Sequence, residues 1–112
     1  MEVINIRKAN LKKLGYRDLE HWLEKDNHIY IGRNMSFYVK GANKSKWFNP
    51  FSEKKYGRDK CIDLYKEYLL NNSELFNNLS DLSGKVLGCW CKPNKCHGDI
   101  ILQLISSIRT PP

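Results

Sequence analysis

The chain has 112 residues, 41% of them hydrophobic and 28% charged, and its 19 Lys and Arg against 12 Asp and Glu give a formal net charge of +7. That length fits one globular domain and excludes two, while 12% aromatic residues exclude a disordered chain, because enough apolar surface is present to offset the entropy of ordering. No run of 18 apolar residues excludes a membrane-spanning helix, and MEVINIRKANLKK lacks the apolar centre of a secretory signal, so we expect an intracellular, cytoplasmic protein with reduced cysteines.

Glu2 to Arg7 (EVINIR) reads as a first strand from its Val and Ile content. From Leu11 to Asp26 the pattern predicts a helix, with Leu19, Trp22 and Leu23 at helical spacing, Asp18 available near its start and Gly15 weakening its first residues. His28 to Gly32 (HIYIG) reads as a second short strand, closed by Gly32-Arg33-Asn34. Ser36 to Lys40 (SFYVK) reads as a third, able to pair with the second as a hairpin. Gly41 to Glu53 is a loop by composition, carrying Trp47, Phe48 and Phe51.

Tyr56 to Asn71 gives the clearest helix, with Cys61, Leu64, Tyr65 and Tyr68 on one stripe, which places Cys61 in the core. Ser73 can cap a shorter helix containing Leu75, Phe76 and Leu79, and Ser83-Gly84 makes a turn. Lys85 to Cys91 is nearly all apolar, as a central strand covered on both faces should be. A tight loop, Lys92 to Lys95, leads to a last helix from Cys96 to Ile108, which Pro111 and Pro112 stop. This order predicts a single α/β domain over residues 1–112, three-layered, with helices on both faces of a small, mostly parallel or mixed sheet.

The chemically loaded segment is Gly88-Cys89-Trp90-Cys91-Lys92-Pro93-Asn94-Lys95-Cys96-His97-Gly98-Asp99. A strand alternates faces, so Cys89 and Cys91 point the same way. Ligand crevices of open α/β sheets lie at strand C-termini, where Cys91 should sit, and the N-terminus of the following helix favours anions and thiolates. Three readings compete. In the first, Cys89, Cys91, Cys96 and His97 hold zinc, although C-x-C-x4-C-H is not a usual zinc spacing. In the second, Cys96, His97 and Asp99 do nucleophilic or general acid–base chemistry beside a bound anion or nucleotide, with Lys92 and Lys95 at the rim. In the third, Cys89 and Cys91 are small core residues and His97 lies on the sheet-facing stripe of the helix.

Two further features bear on ligands. Ser45, Lys46, Trp47 and Asn49 could stack a base on Trp47 and bind its polar edge, or the loop could be pinned to the body by its aromatics. Gly32 and Arg33 end a strand, where Arg33 could clamp a phosphate. The basic balance favours a nucleotide or nucleic acid over a membrane as partner, though scattered lysines also serve solubility alone.

Taken together, Tyr30-Ile31-Gly32-Arg33, Ser45-Lys46-Trp47, Asn49-Pro50-Phe51 and Leu87-Gly88-Cys89-Trp90-Cys91 with Pro93 and Cys96-His97-Gly98-Asp99 resemble the DUF4326 family (domain of unknown function), found in bacteria, phages and large DNA viruses. The stretch Leu11 to Asp26 looks like an insertion relative to that family, and Phe48 stands where it often has glycine. The C-terminal pattern is also similar to a second uncharacterised family of Rossmann-like α/β fold, which implies such a fold here. Neither resemblance brings an activity, since fold does not imply function. Two classes therefore stay open. One is a protein binding a nucleotide-like or phosphorylated ligand through Gly32, Arg33, Ser45, Lys46, Trp47, Asn49 and Cys91, with hydrolysis or transfer at a nucleotide, nucleoside or modified base. The other is a non-catalytic module that binds DNA or RNA, sequesters a nucleotide, or is held by structural zinc.

Overall fold

In the computed structural model, residues 2–109 are described, so Pro111 and Pro112 lie outside the described residues. The elements in chain order are β1 (Glu2–Asn5), α1 (Lys8–Lys13), α2 (Leu19–Leu23), β2 (His28–Tyr30), α3 (Glu53–Tyr56), α4 (Arg58–Asn71), α5 (Ser73–Asn78), a 3-10 turn (Leu79–Leu82), β3 (Val86–Cys89) and α6 (His97–Arg109). The three strands form one sheet in the order β1-β3-β2, and both pairings are parallel. The register sets Glu2 beside Val86 and Asn5 beside Cys89, and His28 beside Val86 and Tyr30 beside Gly88. The apolar run predicted to be central is therefore central, although pairing ends at Cys89 and not at Cys91.

Strand alternation divides the core. Val3, Ile29 and Leu87 face a cluster built by Tyr65 and Leu69 of α4, Leu75 of α5, Leu79 and Leu82 of the 3-10 turn, and Ile101, Leu104 and Ile105 of α6. Ile4, Tyr30 and Val86 face a second cluster with Leu11 of α1 and Leu19 and Trp22 of α2. Helix α4 forms because Cys61, Ile62, Tyr65 and Leu69 recur at intervals of three and four, so one stripe is buried and the other face stays charged. Cys61 is core, as expected.

Three expectations need correction. The single helix from Leu11 to Asp26 is two helices, because Gly15 takes φ +96, a left-handed conformation that ends α1, and the Asp18 side chain then caps α2 by accepting the His21 N–H. Ser36 to Lys40 is no strand. It is a turn in which the Val39 N–H returns to the Met35 carbonyl at 2.8 Å, so the expected hairpin does not form and its Phe37 and Tyr38 rings stand in solvent. The cap of α5 is Asn72, whose Oδ1 accepts the Leu75 N–H at 3.1 Å, and not Ser73.

Candidate functional site

Because all three strands run one way, their C-terminal ends share one edge of the sheet, the edge where open α/β sheets place ligands. A cleft of about 1220 Å³ opens there. Asn5 and Cys89 end the strands beneath it, Gly32, Arg33 and Met35 follow β2 on one side, and Phe51 to Lys54 with Arg58 form another wall. Trp90 to Asn94 and His97 complete it. Among the described residues, six cationic side chains line this cleft (Arg7, Lys8, Arg33, Lys54, Arg58 and Lys92) against the single carboxylate of Glu53.

The inner cations are held and the outer ones are not. Arg58 donates to Glu53 at 3.0 Å and to the Lys95 carbonyl at 2.9 Å, and Lys92 pairs with Asp99. Arg7, Lys8, Arg33 and Lys54 are exposed and have no carboxylate partner among the described residues. Arg33 is nonetheless fixed at its backbone. The Tyr30 hydroxyl donates to the Arg33 carbonyl at 2.6 Å and accepts the Trp90 indole N–H at 2.7 Å. Burial pushes the Tyr30 phenol pKa up, which keeps it protonated as that donor. The folded-back ring leaves room only for glycine at position 32, where a Cβ would lie 2.4 Å from the Tyr30 oxygen.

The cysteine and histidine cluster divides into structural and accessible members. Cys96 stands just before α6, and its Sγ accepts the Gly98 N–H at 3.4 Å while Asp99 Oδ2 accepts the Cys96 N–H at 3.1 Å. This is a capping box with a thiol in place of the usual hydroxyl. Asp99 therefore binds helix cap and Lys92 together, and it does not line the cleft. Cys89 and Cys96 are each 1% exposed, whereas Cys91 is partly exposed and lines the cleft. Cys89, Cys96 and the Arg58 guanidinium all act on the Cys91 thiol. Of the three sulfurs, Cys91 is the one whose thiolate is favoured. Its pKa is held below the ordinary thiol range by the neighbouring Cys89 thiol and then by Cys96, while both partners are pushed up.

His97 is buried, with Nε2 2.7 Å from the Ile31 carbonyl oxygen. A carbonyl only accepts, so Nε2 carries the proton and Nδ1 turns its lone pair to Cys96 Sγ, 3.7 Å away. Burial lowers its pKa, and the neutral ring packs edge-on against Tyr65 at 5.0 Å. His97 thus ties the end of β2 to the start of α6. Gly98 lets the helix sit directly on the sheet, since a Cβ there would meet Val3 at 2.8 Å and Ile31 at 2.9 Å.

Of the residues nominated from sequence, Gly32, Arg33, Cys89, Cys91 and His97 come together in the cleft, and Cys96 and Asp99 lie behind it. The aromatic loop behaves differently. Trp47 is 3% exposed and its carbonyl accepts the Tyr65 hydroxyl at 2.6 Å, so its ring is core and not a stacking platform. Asn49 donates to the Cys61 carbonyl and accepts the Phe51 N–H, which spends its amide on tying the loop to α4. Ser45 accepts the Trp47 N–H and, with Lys46, borders a separate hollow of about 420 Å³. The zinc reading of Cys89, Cys91, Cys96 and His97 gains no support from the arrangement of these side chains. Among the described residues no group of three or more His, Cys, Asp and Glu is arranged to hold a metal ion, because His97 turns to Ile31 and Cys96 to the helix cap.

Sequence reasoning missed Arg7, Lys8, Lys54, Arg58 and Trp90. The rule that placed Cys91 at a strand end applies equally to Arg7 and Lys8 after β1, and would have found them. No local pattern marks Lys54 or Arg58.

The comparisons with known proteins supply no activity. The chain is 36% identical to an uncharacterised protein of Acanthamoeba polyphaga mimivirus, over 71% of this chain and 68% of that one. It is 33% identical to an uncharacterised 12.4 kDa protein in the nrdA-td intergenic region of Enterobacteria phage T4, over 55% of this chain and 61% of that one. No solved structure matches. Among the described residues no helix is long and apolar enough to cross a membrane. Residues 15–107 match the family described as Domain of unknown function (DUF4326), a span that includes β2, β3, most of α6 and the cysteine cluster, and the chain belongs to that family.

Proposed function

We propose that the cleft binds a phosphorylated, nucleotide-like ligand. The observation that carries this reading is the charge of its lining, six cationic side chains against one carboxylate at the carboxyl edge of a parallel sheet. Arg33, Arg7 and Lys54 are the phosphate partners, since no protein carboxylate occupies them among the described residues. Trp90 and Phe51 supply apolar wall. Two cores on opposite faces of the sheet support describing the domain as three-layered and Rossmann-like, the kind of fold in which such an edge holds nucleotides. A hydrolysis or transfer reaction would centre on Cys91, the thiolate that lines the cleft, and not on Cys96, His97 or Asp99, whose polar atoms are engaged in holding α6.

Thermal denaturation with pyrophosphate and with nucleoside mono-, di- and triphosphates tests binding. A ligand present at a hundred times its Kd adds about 2.7 kcal/mol of stability, and Arg33→Ala with Lys54→Ala should abolish most of that gain. If no phosphorylated compound raises the Tm, or the paired substitution leaves the gain intact, the cleft is not an anion site.

A further inference from the structure

We infer that the ligand is a single-stranded nucleic acid, whose phosphates enter the basic cleft while its bases stack on Phe37 and Tyr38. This rests on the phosphate-binding reading of the cleft and names its substrate class. Phe37 is 90% exposed and Tyr38 78% exposed, with ring centroids 5.1 Å apart in an edge-to-face pair. Two neighbouring aromatics that leave the core altogether are unusual in a small domain and mark a binding surface. Their turn is tied at its base, since the Met35 N–H donates to the Ala42 carbonyl at 2.8 Å and Met35 accepts from Tyr38 and Val39. The rings are thus presented on a closed loop.

That loop adjoins the cleft. Met35 lines it, and Phe37 is two residues further, so their Cα atoms are within about 7 Å of each other. Arg33 precedes the same loop, so a strand leaving the phosphate sites past Met35 reaches the aromatic pair next. The cleft, at about 1220 Å³, exceeds the roughly 300–1,000 Å³ of pockets made for one small molecule. A net charge of +7 suits a polyanion. Cations recessed in a cleft beside protruding rings fit a flexible strand with unpaired bases better than a flat anionic surface, and a duplex keeps its base faces stacked inside.

Fluorescence anisotropy with the full chain and a labelled oligothymidylate, its RNA equivalent, a duplex and an abasic strand of equal length tests this. Single strands should bind, with affinity falling about fiftyfold between roughly 50 and 200 mM salt if Arg7, Lys8, Arg33 and Lys54 each meet a phosphate. Phe37→Ala with Tyr38→Ala should cost about tenfold per ring for the single strand, and Phe37→Trp with Tyr38→Trp should restore it. The abasic strand should bind the unmutated chain no better than the thymidylate binds the double alanine variant. Equal affinity for duplex, abasic and single strands, or indifference to the alanine pair, overturns the stacking proposal. Stabilisation of the unmutated chain by pyrophosphate separates the two readings. Pyrophosphate binding without oligonucleotide binding removes this inference alone, and loss of both removes the cleft reading with it.

Discussion

Acidification from about pH 7 to about pH 5 should destabilise the fold through His97, and His97→Gln should remove that part of the loss. Burial pushes the His97 pKa below the ordinary value near 6.5, and the Ile31 carbonyl and the Cys91 and Asp99 charges only partly oppose it. Tyr65, packed against its face, offers no charge to balance a second proton. The unfolded chain therefore takes up a proton that the folded one refuses. Stability is fully present above about pH 6.5 and is lost as pH falls toward the folded value, with a limiting slope for one group of about 1.4 kcal/mol per pH unit. Glutamine can keep an N–H on the Ile31 carbonyl but cannot titrate. Urea unfolding of both proteins across that window is the assay, where each 1 kcal/mol moves the midpoint by roughly 0.3–1 M. The variant should start less stable and then lose less on acidification. Parallel curves would show that His97 is not held neutral by its burial, and the assignment of its two nitrogens would fall.

Four shorter tests address the surrounding construction. Gly98→Ala should cost about 1–3 kcal/mol despite alanine's better helix propensity, because the added methyl meets Val3 and Ile31 below 3 Å, and an unchanged Tm would refute the close approach. Asp99→Ala should lose about 1 kcal/mol or more through the cap, and Asp99→Asn less, since the amide oxygen still accepts the Cys96 N–H; equal losses would assign the effect to the Lys92 pair. Iodoacetamide at neutral pH should label Cys91 before the other cysteines, and Arg58→Ala should slow it; labelling first at Cys61, Cys89 or Cys96 contradicts the charge assignment. Chelator should leave the Tm unchanged, whereas unfolding in chelator would support the zinc reading.

What the sequence made legible were features with a strong period or an unambiguous covering. The run Lys85 to Cys91 had to be central because nothing polar interrupts it, and α4 declared itself through Cys61, Tyr65 and Leu69. Ser36 to Lys40 misled because Phe, Tyr and Val favour strands only where a neighbour covers them. Here β2 already pairs with β3, and the local bonds from Met35 to Val39 and Ala42 close a turn instead. Cys96-His97-Gly98-Asp99 was legible only as a set of alternatives. Its residues are the types that do chemistry, yet their polar atoms go to capping a helix and anchoring β2, a use visible only once helix start and strand end are side by side. Arg7, Arg33 and Lys54 meet through topology alone, being far apart in the chain.

The distribution of carboxylates explains how one edge can be both rigid and electropositive. Glu53 is taken by Arg58 at 3.0 Å and Asp99 by Lys92, while Asp59 and Lys95 pair at 3.3 Å on the exposed surface. These pairs and the Arg58 bond to Lys95 lock the loop after β3 against α4 and α6. What remains uncompensated is the outer set, Arg7, Lys8, Arg33 and Lys54, so the positive potential concentrates at the mouth, where desolvation costs least. The Cys91 thiolate sits in that same potential. A phosphate held by Arg7, Arg33 and Lys54, as proposed, would bring negative charge into the cleft that Cys91 lines and so raise the Cys91 pKa. Under the phosphate reading, ligand binding and thiol reactivity are thus linked with opposite sign.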